Sequence, residues 1–155
     1  YALGAGCAHV EVAASVAAAA AAADVICTVT GSPQAILFGR DVRKGTHLCL
    51  VGASIPSSRE VDDDLVALSR YFVDYRGSAL AQAGELLEAI KAGRVTEAHI
   101  LGEIGDVLSG TVHGRLAHDD VTVYKSLGVA AQDLVSALLV YRHALERGLG
   151  TVAEL

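Results

Sequence analysis

No methionine occurs anywhere in these 155 residues, position 1 included, where the chain opens on Tyr1. We therefore expect a piece of a longer polypeptide. Positive charge is also scarce: 12 Lys and Arg stand against 18 Asp and Glu, for a net charge of −6. With no basic cluster, the chain lacks the footprint of a nucleic-acid partner or of a polybasic membrane patch. There is no signal peptide and no spanning run, because the longest candidate, 12–23, is too short and too rich in alanine. The three cysteines, Cys7, Cys27 and Cys49, show neither C-x-x-C spacing nor a framework of pairs. They read as buried thiols of a reducing compartment, the cytoplasm. The six histidines have no ligand spacing, so no metal site is expected. A G-x-S-x-G nucleophile turn is missing, as is a G-x-G-x-x-G phosphate loop after any strand.

What is present is apolar, 52% of the residues, and long enough for one sizeable core. The organising stretch is 46–64. Its first half, 46–51, is a short apolar run suited to a strand buried on both faces. Gly52, Ala53 and Ser54 then put small residues and a hydroxyl where that strand ends, and Pro56, Ser57 and Ser58 turn the chain. A parallel strand that ends in small residues brings backbone close to a ligand at the carboxyl edge of an open sheet. Asp62, Asp63 and Asp64 open the following helix, where acids complement its dipole. His47, inside the strand, reads as a packed or hydrogen-bonded core residue.

The same patterning predicts further strands at 9–13, 25–30, 71–74 and 121–124. Helices are expected from a Ser15 cap through 23, at 62–69, from Ser78 to Gly93, after Thr96 as far as Gly110, and at 130–147, with 111–120 as a loop. Strands alternating with helices give an α/β protein with a parallel sheet, part of a Rossmann-like doubly wound fold. Because no phosphate loop follows a strand, its first βαβ unit is expected upstream of Tyr1.

Ordered segments then carry a resemblance. ADVICTVT at 23–30, LCLVGASIPSSREVDDDLV at 48–66, AGELL at 83–87, GEIGDVLSG at 102–110 and VYKSLGVAAQDL at 123–134 resemble the ornithine cyclodeaminase/mu-crystallin family. The resemblance implies a protein about twice this length that works as a homodimer, with an N-terminal substrate and dimerisation domain preceding this piece. On that reading 1–128 is the later part of an NAD(P)-binding Rossmann domain, and 129–155 is a helix and tail packing toward the absent domain. The implied chemistry is hydride transfer between NAD or NADP and a small amino or imino acid, as in ketimine or cyclic-imine reductases and amino-acid dehydrogenases. A cyclodeaminase proper and a non-catalytic NAD(P)-dependent binding protein of the mu-crystallin type are the alternatives. The piece by itself is expected to be inactive.

Residue by residue, Thr30 and the backbone of Val51, Gly52 and Ala53 match positions lining the nicotinamide end, with Lys125 and Ser126 closing over it. Removing Lys125 is expected to weaken cofactor binding with little thermal cost. Ser54 stands where ornithine cyclodeaminases carry an Asp acid/base, as it does in mu-crystallin-like members. A hydroxyl cannot take a proton at neutral pH as a carboxylate does, and losing a positioned base costs about 10²–10⁴-fold. That favours imine reduction over cyclodeamination. Gln82 replaces a Glu that many members carry, leaving an uncharged amide on the substrate side.

Overall fold

In the computed structural model, which describes residues 6, 8–151 and 153, five short parallel strands form one sheet. They are β1 (Val25–Thr28), β2 (His47–Leu50), β3 (Arg70–Val73), β4 (Ile100–Glu103) and β5 (Thr122–Lys125), in the spatial order β1-β2-β5-β3-β4. The last strand in sequence is thus the central one. The helices are α1 (Val16–Ala20), α2 (Asp63–Leu68), α3 (Arg76–Gln82), α4 (Gly84–Lys91), α5 (Ile104–Leu108) and α6 (Ala130–Arg147). This is the expected parallel α/β, Rossmann-like arrangement.

The period-2 alternation of the strands sorts the sheet into two unequal faces. Leu48, Leu50, Tyr71, Val73 and Val123 point to one face, where they form a continuous buried cluster with Leu65 and Val66 of α2 and Leu86 and Ala89 of α4. The opposite face is only partly covered. Arg70 ties the loop 111–120 over it near β3, donating from Nε to the Gly114 carbonyl at 2.7 Å and from Nη2 to that of His113 at 3.1 Å. That cover buries Phe72 as well. Farther across, Val25 and Cys27 of β1 lie exposed.

Several expectations are corrected. Residues 9–13 form no strand. The helix expected after Thr96 is instead a 3-10 turn (Glu97–His99), the edge strand β4 and the short α5. Ile100 and Gly102 alternate inward beside β3, so pairing in the sheet outweighs the helical spacing of Ile100, Ile104 and Val107. The helix from Ser78 to Gly93 is broken at Ala83, since Gly84 packs so tightly that a Cβ there would lie 1.9 Å from the Ser58 carbonyl oxygen. The alanine helix stops at Ala20. Cys27 is exposed and Cys49 only half-buried, because both face the thinly covered side; Cys7 lies outside the described residues.

Other expectations hold in detail. Ser15 caps α1, accepting from the Ala18 amide at 3.1 Å. The span expected for α6 is the one found, closed by Gly148 in the left-handed conformation. Among the described residues no helix is long and apolar enough to cross a membrane. The three acids are spent on structure: Asp63 pairs with Arg59 at 2.8 Å, Asp64 pairs with Arg94, and Asp62 caps α2.

Asp62 Oδ1 accepts two amides, from Leu65 at 3.0 Å and from Gly39 at 2.9 Å, tying the start of α2 to the turn Gly39–Asp41. Asp62→Ala should therefore cost about 1–2 kcal/mol, with Asp62→Asn recovering most of it. Urea unfolding measures this; a loss within error for the alanine variant would show that the cap does not hold this helix.

Candidate functional site at the carboxyl edge

The strands carry the expected residues to one edge. After β1 and β2 end, the amides of Val51 and Gly52 both donate to the Thr28 carbonyl, at 3.0 and 3.2 Å. Across the sheet, the Ser126 amide donates to the Leu50 carbonyl at 2.9 Å. Asp74, just past β3, accepts the amides of Leu127 and Gly128 on Oδ2 at 2.6 and 2.7 Å, which fixes the turn after Ser126. Thr30, the 51–54 loop and the 125–126 pair are thus neighbours at the ends of β1, β2 and β5.

The 52–53 step has unusual geometry. A Cβ on Gly52 would stand 2.2 Å from the Thr30 carbonyl oxygen and 2.4 Å from the Glu60 carboxyl, so only glycine fits. Ala53 follows at φ +53°, a left-handed conformation that strains a residue bearing a Cβ by about 1–2 kcal/mol. Ala53 itself is buried and Ser54 exposed. The loop therefore presents its hydroxyl outward and keeps its strained step beneath.

Two buried charged groups hold that step. Glu60 is fully buried, and its Oε1 accepts the Thr30 amide at 2.5 Å. Lys125 is also fully buried: Nζ donates to the carbonyls of Gly52 and, at 3.3 Å, Ala53, and stands 3.0 Å from Glu85 Oε1. Neither Glu85 oxygen has a hydrogen bond of good geometry, nor does Glu60 Oε2 or the Tyr71 hydroxyl. Burial pushes the Glu85 carboxyl above its ordinary value, against the opposing pull of Lys125. Burial, then Glu85, pushes the Tyr71 phenol well up.

Lys125 is accordingly no solvent-facing contact at a strand end, and the expectation that it can be removed at little thermal cost is corrected by its burial. Gln82 closes α3 with its side chain exposed, two residues before Gly84 meets the Ser58 backbone. Thr30 also borders an apolar cleft of about 380 Å³ along the outer side of β1, with Val16, Ala20 and Val29. Glu60 and Glu85 were not singled out from sequence. For Glu85 a signal was available, since it is an acid inside the otherwise apolar stretch AGELL, whereas Glu60 stands among the polar and charged residues of SSREVDDD and has none.

A parallel α/β domain with a glycine-dependent loop at its carboxyl edge is a ligand-binding class of fold, and the comparisons make the class specific. The chain belongs to the ornithine cyclodeaminase/mu-crystallin family, whose model matches residues 2–148. It is 44% identical over 133 residues to the ketimine reductase mu-crystallin of Mus musculus, covering 85% of this chain and 39% of that protein. It is 37% identical over 125 residues to the delta(1)-pyrroline-2-carboxylate reductase of Paracoccus denitrificans, covering 81% and 40%. Among solved structures it matches the Thermococcus litoralis delta(1)-pyrroline-2-carboxylate reductase in complex with NADH and L-proline, with a TM-score of 0.83 and 32% identity over 90% of this chain and 43% of that one. The chain spans about two fifths of the length of the curated relatives it matches.

The buried pair generates an asymmetric prediction. Glu85→Gln strands the Lys125 charge and should cost about 3–5 kcal/mol. Lys125→Met leaves a carboxyl that can take up a proton, so its loss should be smaller and depend on pH. With its folded-state pKa raised above 4.5, Glu85 holds its proton longer folded than unfolded. Stability of Lys125→Met is then greatest below that value and falls as pH rises through the folded-state pKa, so the variant should be more stable at about pH 5 than at about pH 8 relative to wild type. Urea titrations at both pH values test the sign, and a difference of the opposite sign would refute it.

Proposed function

We propose that this chain supplies the nicotinamide-end half of an NAD(P)-dependent reductase that acts on a small imino acid. The observation that carries this reading is the carboxyl-edge loop: a glycine with no room for a Cβ, a left-handed Ala53 held by Lys125, and an exposed Ser54 hydroxyl. The reduced nicotinamide supplies the hydride when it is bound. The residues present fit that end of the cofactor, because small side chains at the strand ends leave backbone open to a flat ring. Thr30, Val51, Gly52, Ala53 and Ser126 would hold it. No G-x-G-x-x-G phosphate loop follows a strand among the described residues, which supports reading the chain as the nicotinamide end. Lys125 serves from beneath, shaping the loop through the Gly52 and Ala53 carbonyls.

In this reading Ser54 orients substrate by hydrogen bonding and Gln82 offers an uncharged amide on the α3 side; the exposure of both supports it. Neither supplies a carboxylate base, which supports imine reduction over ornithine cyclodeamination. A binding protein of the mu-crystallin type that holds NAD(P) without turnover is the remaining alternative. The relatives in this family act, by their names, as ketimine and pyrroline-2-carboxylate reductases. We place the longer protein in the cytoplasm as a homodimer, in line with a related archaeal alanine dehydrogenase solved as a dimer with NAD bound. The long helix α6 exposes Leu134, Leu138, Tyr141 and Leu145 along one side, which supports reading 129–155 as a segment that packs on a further domain.

Steady-state assays of the full-length protein with pyrroline-2-carboxylate and piperideine-2-carboxylate, using NADH and NADPH, test the activity. Oxidation of the nicotinamide with imine but no ammonia release from ornithine is the expected result. Ammonia release without imine reduction refutes it. If Ser54 orients substrate and transfers no proton, Ser54→Ala should lower kcat/KM by no more than about 10–100-fold. Ser54→Leu should be worse through obstruction, and equal rates for Leu and wild type would remove this position from the site.

A further inference from the structure

The proposed reaction leaves one buried acid without a task. Glu85 is fully buried at the second position of α4, and among the described residues its ion pair is with Lys125 alone, at 3.0 Å. The burial is supplied by residues of this chain, so a longer polypeptide retains it. Replacing such a pair by apolar residues of similar volume is often neutral or stabilising, so stability alone is a weak reason for its presence. Apolar residues would, however, leave two backbone acceptors without a donor. The carbonyls of Gly52 and Ala53 both accept from Lys125 Nζ, and Ala53 is itself buried.

The position of that ammonium is fixed from the acid side. Gly84, immediately before Glu85, packs so closely that a Cβ on it would lie 1.9 Å from the Ser58 carbonyl oxygen and 2.9 Å from that of Ile55. The start of α4 therefore sits directly on the 55–58 turn, and the Glu85 carboxyl faces the ammonium from a rigid base. On the other side Ala53 holds φ +53°, a conformation that persists only where its surroundings over-determine the backbone. Lys125 Nζ thus lies between an anchored carboxyl and two carbonyls of a strained step, one residue before Ser54. Without the carboxylate the ammonium loses its charged partner, and the two carbonyls lose a fixed donor.

We propose that Glu85 is a positioning residue for hydride transfer, acting through Lys125 to fix the Gly52 and Ala53 backbone at the nicotinamide end and to aim the Ser54 hydroxyl at the substrate. This rests on the reading of the chain as part of an imine reductase. In that reaction the iminium carbon gains a hydride, the C=N bond becomes C–N, and the nicotinamide that gives the two electrons is left oxidised. Glu85 and Lys125 exchange no proton or electron in it. Their contribution is geometric, and a displacement of about 1 Å at a reacting centre can lower the rate about 100-fold. An interaction that serves only the aligned arrangement lowers kcat and kcat/KM together when it is lost.

The test uses full-length protein carrying Glu85→Leu together with Lys125→Met, a pair that strands no charge. Three properties are measured: the melting temperature, hydrogen exchange across 48–60, and kcat and KM for pyrroline-2-carboxylate with NADH and NADPH. The double variant should melt above Glu85→Gln alone, because its core holds no uncompensated ion. It should nevertheless exchange faster across 48–60 and show kcat and kcat/KM about 10–100-fold below wild type. A merely structural pair would return activity along with the melting temperature. Glu85→Asp, which keeps the charge but shortens its reach, gives the same comparison if the double variant fails to fold, with kcat lowered about 10-fold. Folded variants with wild-type kcat, or with unchanged exchange across 48–60, overturn the proposal. A wild type that reduces no imine overturns it too, but by removing the reductase reading, and that result appears before any variant is made.

Discussion

A single buried ammonium underlies the geometry of the carboxyl edge. Taking an ion of this size out of water costs several kcal/mol, and the cost is recovered only where partners surround it. Lys125 finds them in three directions: Glu85 at the start of α4, and the carbonyls of Gly52 and Ala53 in the loop after β2. The loop cannot move without uncovering the charge. Nor can α4, whose first residue Gly84 lies against the Ser58 backbone a few residues farther along the same loop. Strand, helix and loop form a closed circuit, and Glu60 makes the matching tie to Thr30 at the end of β1.

That circuit explains how a residue without glycine's freedom holds a left-handed conformation. Strain of about 1–3 kcal/mol persists only where the surroundings over-determine the backbone. Here they do, since Ala53 is buried and its carbonyl is fixed by Lys125. The strained step lies one residue before the exposed Ser54, so it sets the direction in which that hydroxyl leaves the sheet.

Much of this was legible from sequence because local and global signals agreed. The apolar run 46–51, the glycine at its end and the acid-capped helix that follows all favour one arrangement, as does the Ser15 cap. The misreadings fall where signals compete. Ile100, Ile104 and Val107 have helical spacing, yet Ile100 and Gly102 pair beside β3, and sheet pairing is a contact no local pattern reports. Ala83 and Gly84 carry no break signal strong enough to divide a helix; the break comes from the distant Ser58 carbonyl. Lys125 was expected to close over the nicotinamide end, and its burial against Glu85 was not legible, because no local pattern reports an acid forty residues away. The cysteines were read as buried since both sit in apolar runs, but alternation turns them onto the less covered side.

The central place of β5 also bears on how the chain is made. Neither β2 nor β3 has its partner on that side until residue 125 exists, for both pair with β5. At a synthesis rate of about 5–20 residues per second, the roughly 70 residues between β2 and β5 take several seconds to appear. During that interval the apolar sides of β2 and β3 stand open while the loop to be closed between them lengthens, and contacts so distant in sequence form slowly. The nascent chain is therefore most exposed to misassociation just before its last strand arrives, and the same strand brings the lysine that locks the carboxyl edge.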